Sequence, residues 1–307
     1  MKLATRIDGS RDGQLVVVSR DLATAHLADA IAPTLQRALD DWSFIAPQLE
    51  DLYTTLNQGK ARHAFAFDPR QCAAPLPRAY QWLDAAAYPR VRQGASDDFL
   101  GPLDDARFAS EDWGIDFDAG VAAITDDVPS GSTPMSCEGR IRLLALSCGW
   151  VLRTLSTGGP GTVENLQDRP WTAFSPVAAT PDELGLDWRE GRPHRPLIVH
   201  CNGRKAGEVD AGAHLARGFG EFIAQAARTR NLRAGTVVGV GAGAARDSDQ
   251  AQDRSSLVQM RALESAQGDA PRTPWRKFGD RVRIEMPGAD GLSIFGAIDQ
   301  EVTPARP

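Results

Sequence analysis

Apolar positions along the chain fall into two rhythms: a period of two that signals strands and a period of 3.6 that signals helices. "KLATRI" and "QLVVVS" flank the turn-rich "DGSRDG" and predict a β-hairpin at the start. Helical spacing follows in "APTLQRALDDW", where Leu35, Ala38, Leu39 and Trp42 recur at i, i+3, i+4 and i+7 behind Pro33. It returns in "APQLEDLYTTLNQG" through Leu49, Leu52, Tyr53 and Leu56, with Gly59 as a stop. Residues 1–72 therefore read as a small α+β domain, and the proline-marked "FDPRQCAAPLPRAYQW" leads into a larger body over 73–307.

That body is patterned mostly for strands. In "DWGIDFDAGVAAITDD", Asp116 and Asp118 alternate with Ile115 and Phe117, which puts both acids on one face. A third acid at position 120 would complete an acidic row pointing into a pocket, but the residue is Gly120. "IRLLALSCGWVLRTL" is a continuous apolar run suited to a central strand. One helix is predicted over about 213–230, where Leu215, Phe219, Phe222, Ile223 and Ala226 share a face and Asn231 ends it. "AGTVVGVGAGA" reads as a glycine-rich strand. The end reads as a second hairpin: "DRVRIEM" alternates Val282, Ile284 and Met286, turns at "PGADG" and returns through "LSIFGAI". The fold class is α+β and β-rich.

Charge and composition narrow the function. The net charge of −6 supplies no phosphate-neutralising excess, which argues against nucleic-acid binding. No stretch has the ~20 apolar residues of a membrane span, and the first residues lack a signal peptide's apolar run. Cys72, Cys137, Cys148 and Cys201 show no C-x-x-C spacing, and the five histidines show no ligand spacing, so a reduced cytoplasmic protein without a zinc cluster is expected. "GVGAGA" fits the glycine fingerprint of a dinucleotide site, but the polar "ARDSDQAQDRSS" behind it has no apolar helical stripe, so a close-packed strand is the better reading. His200 and Cys201 are strand neighbours facing opposite ways and cannot form a dyad.

Taken in order, "FLGP", "SEDWGIDFDAGVAAIT", "IRLLALSCGWVLRTL", "TAFSPVAATPDELG", "NGRKAGE" and "KFGDRVRIEM...GLSIFGAIDQEV" resemble the fumarylacetoacetate hydrolase family almost end to end. The resemblance implies a mixed β-roll behind a small N-terminal domain, usually dimeric. It implies enzymes that cleave, isomerise, decarboxylate or hydrate oxo acids. It also implies a Mg²⁺ or Mn²⁺ ion held by three carboxylates, with a His–Glu pair that activates water.

Carried over position by position, that machinery is depleted. The family's E-x-E strand matches Asp118 and Gly120, and its third acid matches Gly149, so two of three metal carboxylates are missing. Arg169 stands for the family lysine, a planar fork in place of a point charge. Ala242 stands for a substrate-contacting threonine, and Gln259 for the glutamate that takes a proton. The histidine-bearing lid segment is too short here and begins at about Tyr88 and Pro89.

The resemblance therefore implies a family fold without the metal and without any other cofactor. Asp118, Arg169 and Gln259 are the candidate catalytic residues; Tyr80, Tyr88, Trp150, Trp171 and Ala242 are the candidate substrate-binding residues. Three readings follow. The chain is a repurposed metal-independent isomerase, lyase or cyclase for a carboxylated or oxo substrate, in a biosynthetic setting. Alternatively, it is an inactive binding or scaffold protein, or a metal-dependent hydrolase whose ligands lie elsewhere. The expected ligand is an organic anion anchored by Arg169, and the expected assembly a homodimer.

Overall fold

The computed structural model describes residues 1–85, 92–155, 167–213, 215, 217–241, 255–266 and 270–305. Its strands are β1 (Lys2–Arg6), β2 (Gln14–Val18), β3 (Thr24–Leu27), β4 (Phe65–Ala66), β5 (Trp82–Asp84), β6 (Arg92–Gly94), β7 (Ala106–Phe108), β8 (Ile115–Thr125) and β9 (Ile141–Leu152). They continue with β10 (Thr172–Phe174), β11 (Val177–Ala179), β12 (Trp188–Arg189), β13 (Arg192–Pro193), β14 (Pro196–Cys201), β15 (Arg204–Asp210), β16 (Val237–Gly241), β17 (Arg281–Glu285) and β18 (Ile298–Pro304). The helices are α1 (Leu35–Asp40), α2 (Trp42–Asn57), α3 (Pro134–Glu138), α4 (Phe219–Ala226) and α5 (Leu257–Ala266).

An 11-stranded sheet runs in the order β4-β3-β2-β1-β11-β9-β8-β16-β5-β6, with β10 paired to β9 off this path. A five-stranded sheet, β15-β14-β17-β18-β7, lies beside it. β1 pairs with both β2 and β11, so the strands of the N-terminal unit continue the sheet of the main body. The predicted first hairpin and both N-terminal helices form, with Thr34 capping α1 at the backbone N–H of Arg37.

β8 and β9 pair antiparallel along their whole lengths and are buried on both faces. Their alternation divides the interior. Phe117, Ala119, Val121, Leu144, Leu146, Cys148 and Trp150 point to one core, shared with Phe219 and Phe295. Ala122, Ile124, Leu143 and Ala145 point to the other, shared with Leu3, Leu35 and Leu49. Along that second face the apolar row gives way to Asp118, Ser147 and Gly149, and there a cavity opens.

Two predicted elements differ. The 213–230 helix is reduced to α4, with Gly218 as its N-cap; Leu215 is buried outside it. A Cβ on Gly218 would lie 2.4 Å from the carbonyl oxygen of Glu190, so the chain packs too closely there for a helix to run through. The last strand returns six residues later than "LSIFGAI" predicts: β17 pairs with β18, and Gly296 at φ +74° turns the chain after Phe295 enters the core. β16 is antiparallel to β8 and parallel to β5, and the next described element after it is α5.

Candidate active site

The cavity has a volume of about 570 Å³ and brings together Trp82, Asp84, Asp118, Gly149, Arg169 and Trp171. Asp84 comes from β5, Asp118 from β8 and Gly149 from β9, while Arg169 enters from the loop before β10. Trp82 forms one wall and is set by glycine. A Cβ on Gly239 would lie 2.1 Å from its ring and one on Gly94 2.3 Å, so the indole fits only because both neighbouring strands carry glycine there. This explains the "GVG" of β16 as close packing. Edge-to-face contacts with Phe99 and Phe174 fix the ring from the other side.

The charged groups form one connected chain. Arg169 donates from Nη1 to Asp84 Oδ2 and from Nη2 to Asp118 Oδ2, both at 3.0 Å. Arg153 donates from Nη2 to Asp118 Oδ1 at 2.9 Å and from Nε to Asp116 Oδ2 at 2.8 Å. Asp116 also accepts from the backbone N–H groups of Phe117 (2.7 Å), Leu257 (2.9 Å) and Val258 (3.1 Å), so it holds the N-terminus of α5. Burial pushes its pKa up, against the pull of Arg153. Burial opposes the charge of Arg169 too, but Asp118 and Asp84 outweigh it and its pKa lies above the ordinary guanidinium value.

Asp116 and Asp118 share a face as their alternation predicts, with Arg153 bridging them. Position 120 has no room for a side chain in this backbone: a Cβ there would lie 2.3 Å from the carbonyl oxygen of Val240. Gly149 is different. A Cβ there meets nothing closer than Arg169 Nη1, at 3.7 Å, so this position does face the cavity with room for a side chain.

The residues do not fit the family's metal. A hard dication needs several free oxygen ligands. Here both oxygens of Asp116 and both of Asp118 accept from N–H donors, Asp84 Oδ2 faces a guanidinium, and Gly149 offers nothing. Among the described residues no group of three His, Cys, Asp or Glu side chains is arranged to hold an ion.

Of the sequence-predicted residues, Asp118, Arg169 and Trp171 meet at the cavity, where Trp171 donates its indole N–H to the carbonyl of Arg107. Trp150 does not line it. It follows Gly149 on the strand, so it faces the opposite way, fully buried against Phe108 and Phe117 with its N–H on Gln300. Tyr80 lies before β5 begins and is exposed, away from the cavity lining. Gln259 sits on α5 and accepts the backbone N–H of Ser255 with its amide oxygen; it is not part of the lining either. Tyr88 and Ala242 lie outside the described residues. Arg169 is not a free cation awaiting an anion, because two carboxylates already engage it. The sequence reading missed Asp84 and Arg153. Asp84 ends a short buried strand, "WLD", and a buried acid closing an apolar strand is the signal that marks it.

An α+β, β-rich fold in which carboxylates from β5 and β8, on either side of β16, line one cavity defines the fold class. The comparisons agree. The "Fumarylacetoacetase N-terminal domain 2" family matches residues 1–78, and the "Fumarylacetoacetate (FAA) hydrolase C-terminal" family matches residues 70–303. The chain belongs to the fumarylacetoacetate hydrolase family. Similar solved structures include a probable 2-hydroxyhepta-2,4-diene-1,7-dioate isomerase from Mycobacterium abscessus, 15% identical with a TM-score of 0.70 and 100% of each chain covered. Maleylpyruvate hydrolase from Sphingobium sp. SYK-6, solved with manganese(II) and pyruvate, is 14% identical with a TM-score of 0.67 and the same coverage. Fumarylacetoacetate hydrolase from Exiguobacterium antarcticum is 12% identical with a TM-score of 0.66, covering 99% of this chain and 100% of its own. No curated protein matches the chain. At these identities the structural likeness carries the fold. No helix among the described residues is long and apolar enough to cross a membrane.

Proposed function

We propose that this chain is a metal-independent small-molecule enzyme of the isomerase or lyase type that moves a proton on a small oxo compound held in the cavity. The observation that carries this reading is the position of Asp118, a carboxylate lining the cavity and fixed on both oxygens by Arg153 and Arg169. The two contacts orient it, and each oxygen keeps one lone pair with which to take a proton. A carbon acid bound between Trp82 and Trp171 would lose its α-proton to Asp118 and regain one at a second carbon, an isomerisation that needs no water and conserves all atoms. The described lining residues include four acids, Asp84, Asp98, Asp118 and Asp168, and one guanidinium, that of Arg169. That balance favours an oxo group without a free carboxylate over an organic dianion.

The test is proton exchange. The protein, dialysed against a chelator, is incubated in D₂O with a panel of small ketones, 1,3-diketones and 2-oxo acids, and deuterium uptake is followed by NMR. The expected result is exchange that survives the chelator, fails in Asp118→Asn and favours uncharged oxo compounds. Exchange that appears only on adding Mg²⁺ or Mn²⁺ refutes the reading. Binding without exchange supports a second reading, a non-catalytic binding protein, which the engagement of Arg169 by two acids also favours.

A further inference from the structure

We propose that the guanidinium of Arg169 is the resident cation of this site, occupying the place between Asp84 and Asp118 that a divalent ion would otherwise take. This deepens the metal-independent reading and rests on it. Three observations converge. The fork of Arg169 is split across two acids from different strands, one N–H to each at 3.0 Å, and does not grip one carboxylate with both. Its Nε is buried with no partner among the described residues, so the group is placed by the two acids and not by its own full satisfaction. A Cβ on Gly149 would lie 3.7 Å from Nη1, so the backbone leaves space there for a side chain and the sequence supplies none.

Charge balance explains the combination. Asp84 and Asp118 need positive charge between them, and the guanidinium supplies it where a third acid would add a further negative charge. A guanidinium in place of the ion is therefore compatible with an absent acid at position 149, and each change makes the other tolerable. Reintroducing an acid at 149 beside an intact Arg169 would leave an excess negative charge in a partly buried site. Removing Arg169 alone would leave Asp84 and Asp118 facing each other. Making both changes restores a three-acid cradle for a hard ion. The substitution also fixes the site's cation permanently, since a guanidinium on the chain does not dissociate into a chelator and keeps its charge across the working pH range.

The experiment uses Mn²⁺ alone, read by paramagnetic resonance and by calorimetry, on the full chain in four forms: wild type, Gly149→Asp, Arg169→Gln and the double variant Gly149→Asp with Arg169→Ala. Wild type and Gly149→Asp should bind Mn²⁺ only weakly, whereas the double variant should bind one ion about 100-fold more tightly than wild type. Mn²⁺ should raise the melting temperature of the double variant and leave that of wild type unchanged. Arg169→Gln, which keeps an amide donor but no charge, should show about a tenfold gain and serves if the double variant does not fold. Stoichiometric Mn²⁺ in wild type, as tight as in the double variant, overturns the proposal. So does a folded double variant, or a folded Arg169→Gln, that gains nothing. No substrate enters this test, so it fails or succeeds separately from the proton-exchange assay.

Discussion

Asp116→Ala isolates the structural half of the ion chain. In the wild type this carboxylate has no exposed surface and accepts from three backbone N–H groups and from Arg153 Nε, at 2.7 to 3.1 Å. Two of those N–H groups are the first of α5, which has no other partner for them within the helix. Alanine leaves them facing a small void. Arg153 keeps its bond to Asp118 but loses its deepest partner. Breaking one side of a buried ion pair costs about 3–5 kcal/mol, and a lost helix cap about 0.5–2 kcal/mol. The carboxylate's own burial is unfavourable, as its raised pKa shows, and its removal recovers part of that. A net loss of about 3 kcal/mol, focused on α5, is expected. Hydrogen exchange reads it locally: the amides of Leu257–Ala266 should exchange about 100-fold faster, while those at the centre of β8 and β9 change far less. Unchanged exchange across α5 in a folded Asp116→Ala protein would show that Asp116 does not hold this helix.

Gly239→Ala places a methyl where the Trp82 ring lies, 2.1 Å away, so it should cost about 1–3 kcal/mol and displace the cavity wall, seen as a shift in tryptophan fluorescence and in melting temperature. An unchanged spectrum would mean that Trp82 is not seated as described. Lys2 is buried, and burial lowers its pKa from 10.5 to about 8, while its ammonium donates to the carbonyls of Arg20 and Ser293. Between those two values the unfolded chain binds more protons than the folded one, so stability should rise with pH, by up to about 3 kcal/mol over the full window. Tyr53, whose pKa is raised by burial, works in the opposite sense at higher pH, so the scan of denaturation midpoints runs from roughly pH 7.5 to 9.5. Lys2→Met should abolish this slope, and a slope retained in that variant would assign it to other groups.

The chain order of apolar positions determined a good deal by itself. The hairpin of β1 and β2, the two N-terminal helices, the buried pair β8 and β9 and the shared face of Asp116 and Asp118 all follow from local periodicity, which depends only on backbone geometry. The same periodicity, read one residue further, would have turned Trp150 away from the cavity, since its neighbour Gly149 faces in. Tertiary structure decided what local rules cannot reach. The lack of room at Gly120 depends on the carbonyl of Val240, a strand more than a hundred residues later, and the room beside Gly149 depends on where a separate loop delivers Arg169. The length of α4 was set by how closely Gly218 meets Glu190, and the return of β18 by the burial of Phe295. The partners of Asp118 came from just past the end of β9 and from the loop before β10 because opposite charges pair through space, with strengths fixed by distance and burial and not by separation along the chain.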